Sequence, residues 1–173
     1  MYLEHVARAD FTDLYKLCTQ PQIYRYLFDG APPDWSYLSE RIEMALAGAS
    51  RPGFGFWLLR HPDFPLAGAV DLADGEIPRS RTLTWLLHPA LWGRGIAFRM
   101  AWTALLTAFE DPEIDLVIAD ADGDNRASRG LMERLGMSFR REVSFPLGPG
   151  VEYGFRRGDE GPDPAPALLE MRG

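Results

Sequence analysis

Residues 87–97 read LHPALWGRGIA. A β-prone run, RTLTWLLH (81–88), stops at Pro89, two glycines flank Arg94, and a long helical segment, Arg94 to Phe109, comes next. Proline ends a ladder by removing a donor, and glycine admits conformations closed to other residues. The first N–H groups of a helix lack intrahelical acceptors, and the macrodipole makes that end partly positive. A glycine turn from strand to helix is therefore either tight geometry or a cradle for an anion such as a pyrophosphate. Gly93-Arg94-Gly95 by itself leaves both readings open.

Upstream, Tyr2 to Ala7 reads as a first strand. Asp10 is placed to cap a helix whose buried stripe is Phe11, Leu14, Leu17 and Cys18. Trp35 to Ala47 has Leu38, Ile42, Ala45 and Leu46 on one helical face, with Gly48 as its stop. GFGFWLLR (53–60), LAGAVDL (66–72) and RTLTWLLH are short β-prone runs separated by turn-rich segments, which predicts an antiparallel meander. Downstream, IDLVIAD (114–120) reads as a buried strand, Asn125 to Leu135 as a helix capped by Asn125, and Met137 to Phe145 with Val151 to Arg156 as a closing hairpin. The order predicts an α/β (α+β) fold with a mixed sheet. Residues 1–157 form the expected domain, and the Pro-, Gly- and acid-rich stretch 158–173 is expected to be a flexible tail.

The chain has 173 residues, enough for one domain with a real core. Its formal net charge of −7 argues against nucleic acid or an anionic membrane as partner, because both reward a basic surface. No apolar run approaches the length of a membrane span. Cys18 is the only cysteine, which excludes an intrachain disulfide and fits a cytoplasmic setting. His5, His61 and His88 are scattered without paired spacing, so no metal site is expected. The dinucleotide pattern G-x-G-x-x-G fails at its third glycine, where Phe98 stands, and a meander precedes it rather than a parallel βαβ unit. The phosphate-loop pattern G-x-x-x-x-G-K-[ST] is absent.

Three segments taken together, TWLLHPALWGRGIAFRMA (84–101), NRAS (125–128) and MERLGM (132–137), resemble the GNAT superfamily of acyl-CoA N-acyltransferases. The likeness is nearest to its ribosomal-protein N-terminal acetyltransferase branch, where segments like "GYWLHPEYWGKGYATEA", "N-x-A-S" and "LEKLGF" occur in this order. It extends to about Arg157. The resemblance implies a central seven-stranded mixed sheet flanked by about four helices. It also implies direct transfer of an acetyl group from acetyl-CoA to a primary amine, either a protein N-terminus or a small molecule, by a monomer or homodimer. The family's pyrophosphate pattern falls on Trp92, Gly93, Arg94, Gly95, Ile96 and Ala97. Leu86 and Leu87 are placed to pair with the pantetheine arm as an added strand, with Asn125 bonding the same arm and Arg129 nearby as a further cofactor contact. A backbone N–H at Leu87 or a neighbour is implied as the oxyanion donor.

Where many members carry a tyrosine proton donor this chain has Met132, and the resemblance points to Ser128 for that role. The general base is open among Asp71, Glu152, Glu4 and His88, with Asp71 favoured because it closes a strand expected to line the groove. The chain leaves the family pattern at Thr82, which replaces a glutamate, and at Phe98-Arg99-Met100, which replaces "TEA". Those departures leave a second reading open, a non-catalytic acyl-CoA-binding or sensing protein. The loop from Phe28 and Asp29 to Trp35 and the PLGPG tip (146–150) are expected to line the acceptor groove.

Overall fold

The computed structural model describes residues 1–173. In chain order the elements are β1 Tyr2–His5, α1 Phe11–Cys18, α2 Pro21–Leu27, α3 Trp35–Ala47, β2 Gly55–His61, β3 Phe64–Asp74, β4 Ser80–Leu87, α4 Ile96–Ala108, β5 Leu116–Asp122, α5 Arg126–Arg134, β6 Ser138–Phe145, β7 Gly148–Arg156 and β8 Met171–Arg172. The strands form one mixed sheet in the order β6-β7-β5-β4-β3-β2-β1-β8. The expected meander is β2, β3 and β4, paired antiparallel. The β4–β5 and β1–β8 pairs are parallel.

Alternation along the strands splits the core in two. Trp57, Leu59, Val70, Leu72, Leu83, Leu87, Val117 and Ala119 face α4. Phe56, Leu58, Leu66, Ala69 and Leu86 face the layer of α1, α2 and α3, where they meet Leu14, Leu17, Ile23, Leu38 and Ile42. Helix α4 lies close on the sheet because Ala101, Ala104 and Ala108 are all fully buried there. The expected cap at Asp10 does not form. Its backbone is already helical, and its carboxylate instead accepts from the Ala7 N–H at 2.9 Å and from Arg60 at 2.7 Å.

The tail is the main departure from expectation. Residues 158–173 run back over α4 rather than hanging free: Arg99 Nε donates to the Ala167 carbonyl and the Leu169 N–H donates to Thr103 Oγ1 at 3.0 Å. The Leu3 N–H donates to the Glu170 carbonyl at 2.8 Å, so Met171–Arg172 adds an eighth strand to the expected seven. The physical reason is Leu169, which is buried against α4 and anchors an otherwise polar stretch. Leu169→Ala is expected to lower stability by about 2 kcal/mol, as for a buried leucine whose surroundings partly collapse. Thermal unfolding followed by circular dichroism checks this, and an unchanged Tm would mean the tail contributes nothing.

Candidate active site

Strands β4 and β5 pair only over Ser80–Thr82 and Leu116–Ile118. Beyond that point β4 stays with β3 as far as Leu87, and β5 stays with β7 as far as Asp122. The two strands therefore splay, and a cleft of about 860 Å³ opens at the break. Its floor is β4 and β5, its one end the Gly93–Gly95 turn, and its other end α2, Phe28, Asp29 and Phe145.

The splay leaves backbone groups without strand partners. The His88 N–H donates to the Ala67 carbonyl, so His88 and, by alternation, Leu86 face β3. Trp85 and Leu87 therefore face the gap. The Leu87 carbonyl accepts from the Trp92 indole N–H at 2.7 Å, which leaves its own N–H free on that side. This corrects the expected pair: Leu86 lines the cleft only with its side chain, and Trp85 with Leu87 presents the edge. Trp92 also gains a local role, because it ties the glycine turn to the end of β4.

At the turn, Gly93 and Gly95 both have φ +72, a conformation that favours glycine, and a Cβ added at either would meet nothing within 4 Å. The glycines are thus demanded by backbone shape, and the space beside them is open. From Gly93 to Phe98, six consecutive backbone N–H groups have no acceptor in the protein; the first helical bond is from Arg99 to the Gly95 carbonyl. Such a row at the start of a 13-residue helix is an anion cradle. Gly93, Gly95, Ile96 and Ala97 line the cleft, whereas the Arg94 side chain does not. Arg129 also lies outside it, because its Nη1 is committed to the Gly123 carbonyl at 2.9 Å. Arg126 and Arg134 line the cleft instead, with the Arg134 guanidinium 4.4 Å from the centre of the Phe98 ring. Helical spacing from Asn125 could have flagged Arg134, but nothing in the sequence shows which face of α5 meets the turn.

Asn125 caps α5, its Oδ1 accepting from the Ser128 N–H at 3.2 Å. Both residues line the cleft, and the Ser128 hydroxyl is not engaged by any protein group. Met132 is fully buried in the core, so its position has no access to the site.

The candidate bases separate clearly. Asp71 is not at a strand end; β3 runs on to Asp74, which puts Asp71 mid-strand. Both its oxygens are taken by Arg41, with Arg41 Nε on Oδ2 at 2.6 Å. Burial pushes the Asp71 pKa up, and the guanidinium pulls against it. Glu152 is held by Arg141 and Arg140, which keep its pKa below the usual range. Glu4 is paired with Arg60, and His88 accepts from the Ala90 N–H while packing on Phe64. Of the expected acceptor loop, Phe28 and Asp29 line the cleft, while Trp35 packs on Phe11 and Tyr15 outside it. The PLGPG tip reaches the loop from the other side, where Leu147 lies against Gly30. Cys18 also borders the cleft, but burial pushes its thiol up to about 12, so it is not a nucleophile at neutral pH. No three His, Cys, Asp or Glu side chains are grouped to hold a metal ion, and no helix is long and apolar enough to cross a membrane.

Residues 1–138 match the family described as an acetyltransferase (GNAT) domain. The chain belongs to the GNAT acetyltransferases. Solved structures of similar fold include aminoglycoside acetyltransferase AAC(6')-Ib in complex with coenzyme A, at 20% identity and TM-score 0.72, over 90% of this chain and 94% of that one. Spermidine N-acetyltransferase from Vibrio cholerae, in complex with CoA and spermine, aligns at 16% identity and TM-score 0.74, over 91% and 95% of the two chains. RimL, a ribosomal L7/L12 α-N-protein acetyltransferase in complex with CoA, aligns at 14% identity and TM-score 0.70, over 89% and 92%. At these identities the likeness is one of fold. This GNAT acetyltransferase builds its cleft from the splayed β4–β5 pair and the glycine turn described above.

Proposed function

We propose that this GNAT acetyltransferase moves the acetyl group of acetyl-CoA directly to a positively charged primary amine, in a cytoplasmic setting. The observation that carries the proposal is the row of six free N–H groups from Gly93 to Phe98 at the end of the cleft. These amides would hold the pyrophosphate of the cosubstrate, with Arg126 and Arg134 adding positive charge at that end. The free edge at Trp85 and Leu87 would bond the pantetheine arm, and the Asn125 side-chain amide would reach it from the other wall. Bound in this way, acetyl-CoA supplies an activated acyl group on a good leaving thiol.

The chain's own residues carry the remaining steps. The Leu87 N–H stands ready to donate to negative charge developing on the acyl oxygen. The Ser128 hydroxyl, which lines the cleft and has no protein partner, would give a proton to the departing sulfur. The far end of the cleft sorts for positive charge, because Asp29, Asp120 and Asp122 line it without protein cations bonded to them. Tyr26 and Phe28 supply rings at the same end of the cleft. A protein N-terminal amine, as in the ribosomal-protein branch, and a small polyamine both meet this requirement. The open cleft with carboxylates beyond its centre favours the small cation.

Isothermal titration with acetyl-CoA tests the reading directly. Binding in the micromolar range is expected, and no heat at tens of micromolar would sink it. Ser128→Ala should leave that affinity unchanged and lower kcat by about 100-fold, the usual worth of a positioned proton donor. Full activity in the variant would remove Ser128 from the chemistry.

A further inference from the structure

On the sheet face turned towards α3, the strands carry a row of polar residues at one level. Asp71 of β3 pairs with Thr84 of β4. Asp120 of β5 pairs with Glu152 of β7, and Glu152 with Arg141 of β6. Carrying the β4–β5 register two residues past Thr82–Ile118 sets Thr84 against Asp120 across the gap. Alternation confirms the common face: Ala119 and Ala121 point to α4, so Asp120 points the other way, as Asp71 does towards Arg41.

Both ends of this row are neutralised. Arg41 holds Asp71. Arg140 and Arg141 hold Glu152 at 3.0 and 2.8 Å. Asp120 stands between them with no hydrogen bond and no ion pair, and it lines the cleft at the place where the strands part. The one uncompensated carboxylate of the row thus faces the free edge of β4, where Trp85 and Leu87 await the acyl arm.

Resting on the acetyl-transfer reading, we infer that Asp120 is the carboxylate that receives the acceptor's ammonium group and takes its proton. The substrate's charge supplies the cation that the row lacks. Three protons start on that nitrogen. One passes to Asp120 and on to water as the nitrogen lone pair forms the bond to the acyl carbon. A second goes to water as the carbon–sulfur bond breaks and Ser128 protonates the sulfur, with water restoring the serine. The third stays on the amide. Asp71 then has a positioning job only, fixed by Arg41 at the edge of the cleft.

The surroundings suit a base. Asp120 is exposed to solvent within the open cleft, yet the partial enclosure of its carboxylate pushes its pKa up, and Glu152, Asp122 and Glu76 push in the same direction, while Arg141 opposes them. A carboxylate whose pKa is raised is a stronger proton acceptor than an ordinary one.

The test uses Asp120→Asn with acetyl-CoA and spermine, kanamycin or an alanyl tripeptide, whichever the wild type turns over fastest. The expected result is a fall in kcat/KM of about 100- to 1,000-fold at pH 7, with acetyl-CoA affinity unchanged by titration. The wild-type profile should be flat between the pKa of Asp120 and that of the amine. The variant, able to use only neutral amine, should rise tenfold per pH unit over the same range, so its deficit shrinks as pH climbs. Asp120→Glu should recover part of the activity. Unchanged kcat/KM, or a loss of equal size at every pH, would overturn the assignment while leaving acetyl transfer intact. Failure of the wild type to bind acetyl-CoA would overturn both.

Discussion

Gly95→Glu is expected to abolish acetyl-CoA binding, with affinity falling by more than about 100-fold, while the fold persists. Two effects act at this position and can be separated. The backbone φ of +72 penalises any side chain, at a cost of about 1–2 kcal/mol, which falls on stability. The second effect is specific to the ligand: the carboxylate would project into the space that the free amides of residues 93–98 surround. It would place negative charge where an anion must sit, at the positive end of α4. Gly95→Ala is the control. It carries the same backbone strain, but its Cβ meets no protein atom within 4 Å, so it should lose less than about tenfold in affinity. Calorimetric titration of both variants, beside their circular dichroism spectra, reads the difference. Equal affinities for Glu and wild type would show that the pyrophosphate binds elsewhere.

Arg81→Ala is expected to destabilise the fold by about 3–5 kcal/mol, because it strips the guanidinium from a buried carbonyl and its paired carboxylates. The Arg81 side chain is only 5% exposed. Its Nε donates to the Gly53 carbonyl at 2.9 Å, its Nη1 to Asp74 at 2.8 Å and its Nη2 to Asp111 at 3.0 Å. The bond to Asp74 counts least, since that carboxylate is half open to water and also has Arg51. The Gly53 carbonyl decides most of the outcome, because it would be left buried without a donor, while Asp111 would lose its counter-charge and keep only the Glu113 N–H on Oδ1. For a chain of this length the loss corresponds to a fall in Tm of roughly 10 °C. Chemical denaturation with the midpoint and slope fitted separately measures it. A change below about 1 kcal/mol would show that water replaces the guanidinium. Arg81→Lys should fall between, since a single ammonium cannot span three acceptors.

The long elements are legible in the sequence because each obeys one period. The stripe of Leu38, Ile42 and Ala45 delivers α3 at its observed bounds, and the alternation in β2 to β4 delivers the meander. Composition alone misreads the tail, although α4 carries a hint. Its sequence is apolar almost all round, and Trp102 and Thr103 are buried beneath the tail on the side away from the alanines. A helix of that kind must be covered on two sides. The place of Asp71 in its run favours it as base, but nothing local reveals its bidentate tie to Arg41, 30 residues earlier. Asp120 looks like the end of a buried strand, and no local pattern marks a carboxylate as unpaired.

By itself the sequence determined the glycine turn, the capping Asn125 and the order of helices and strands along the chain, because turns, caps and periods are local properties, and its motif segments carried the resemblance to the GNAT acetyltransferases. Only the tertiary structure decided which residues use that framework. The parting of β4 from β5 after Thr82 chooses Trp85 and Leu87 as the free edge, commits Arg129 inward and brings Arg126 and Arg134 to the cleft. It also leaves Asp120 as the one carboxylate in its row without a counter-ion. Charge compensation is a property of neighbours in space, and those neighbours come from β3, β6, β7 and α3, strands and a helix far apart in the chain.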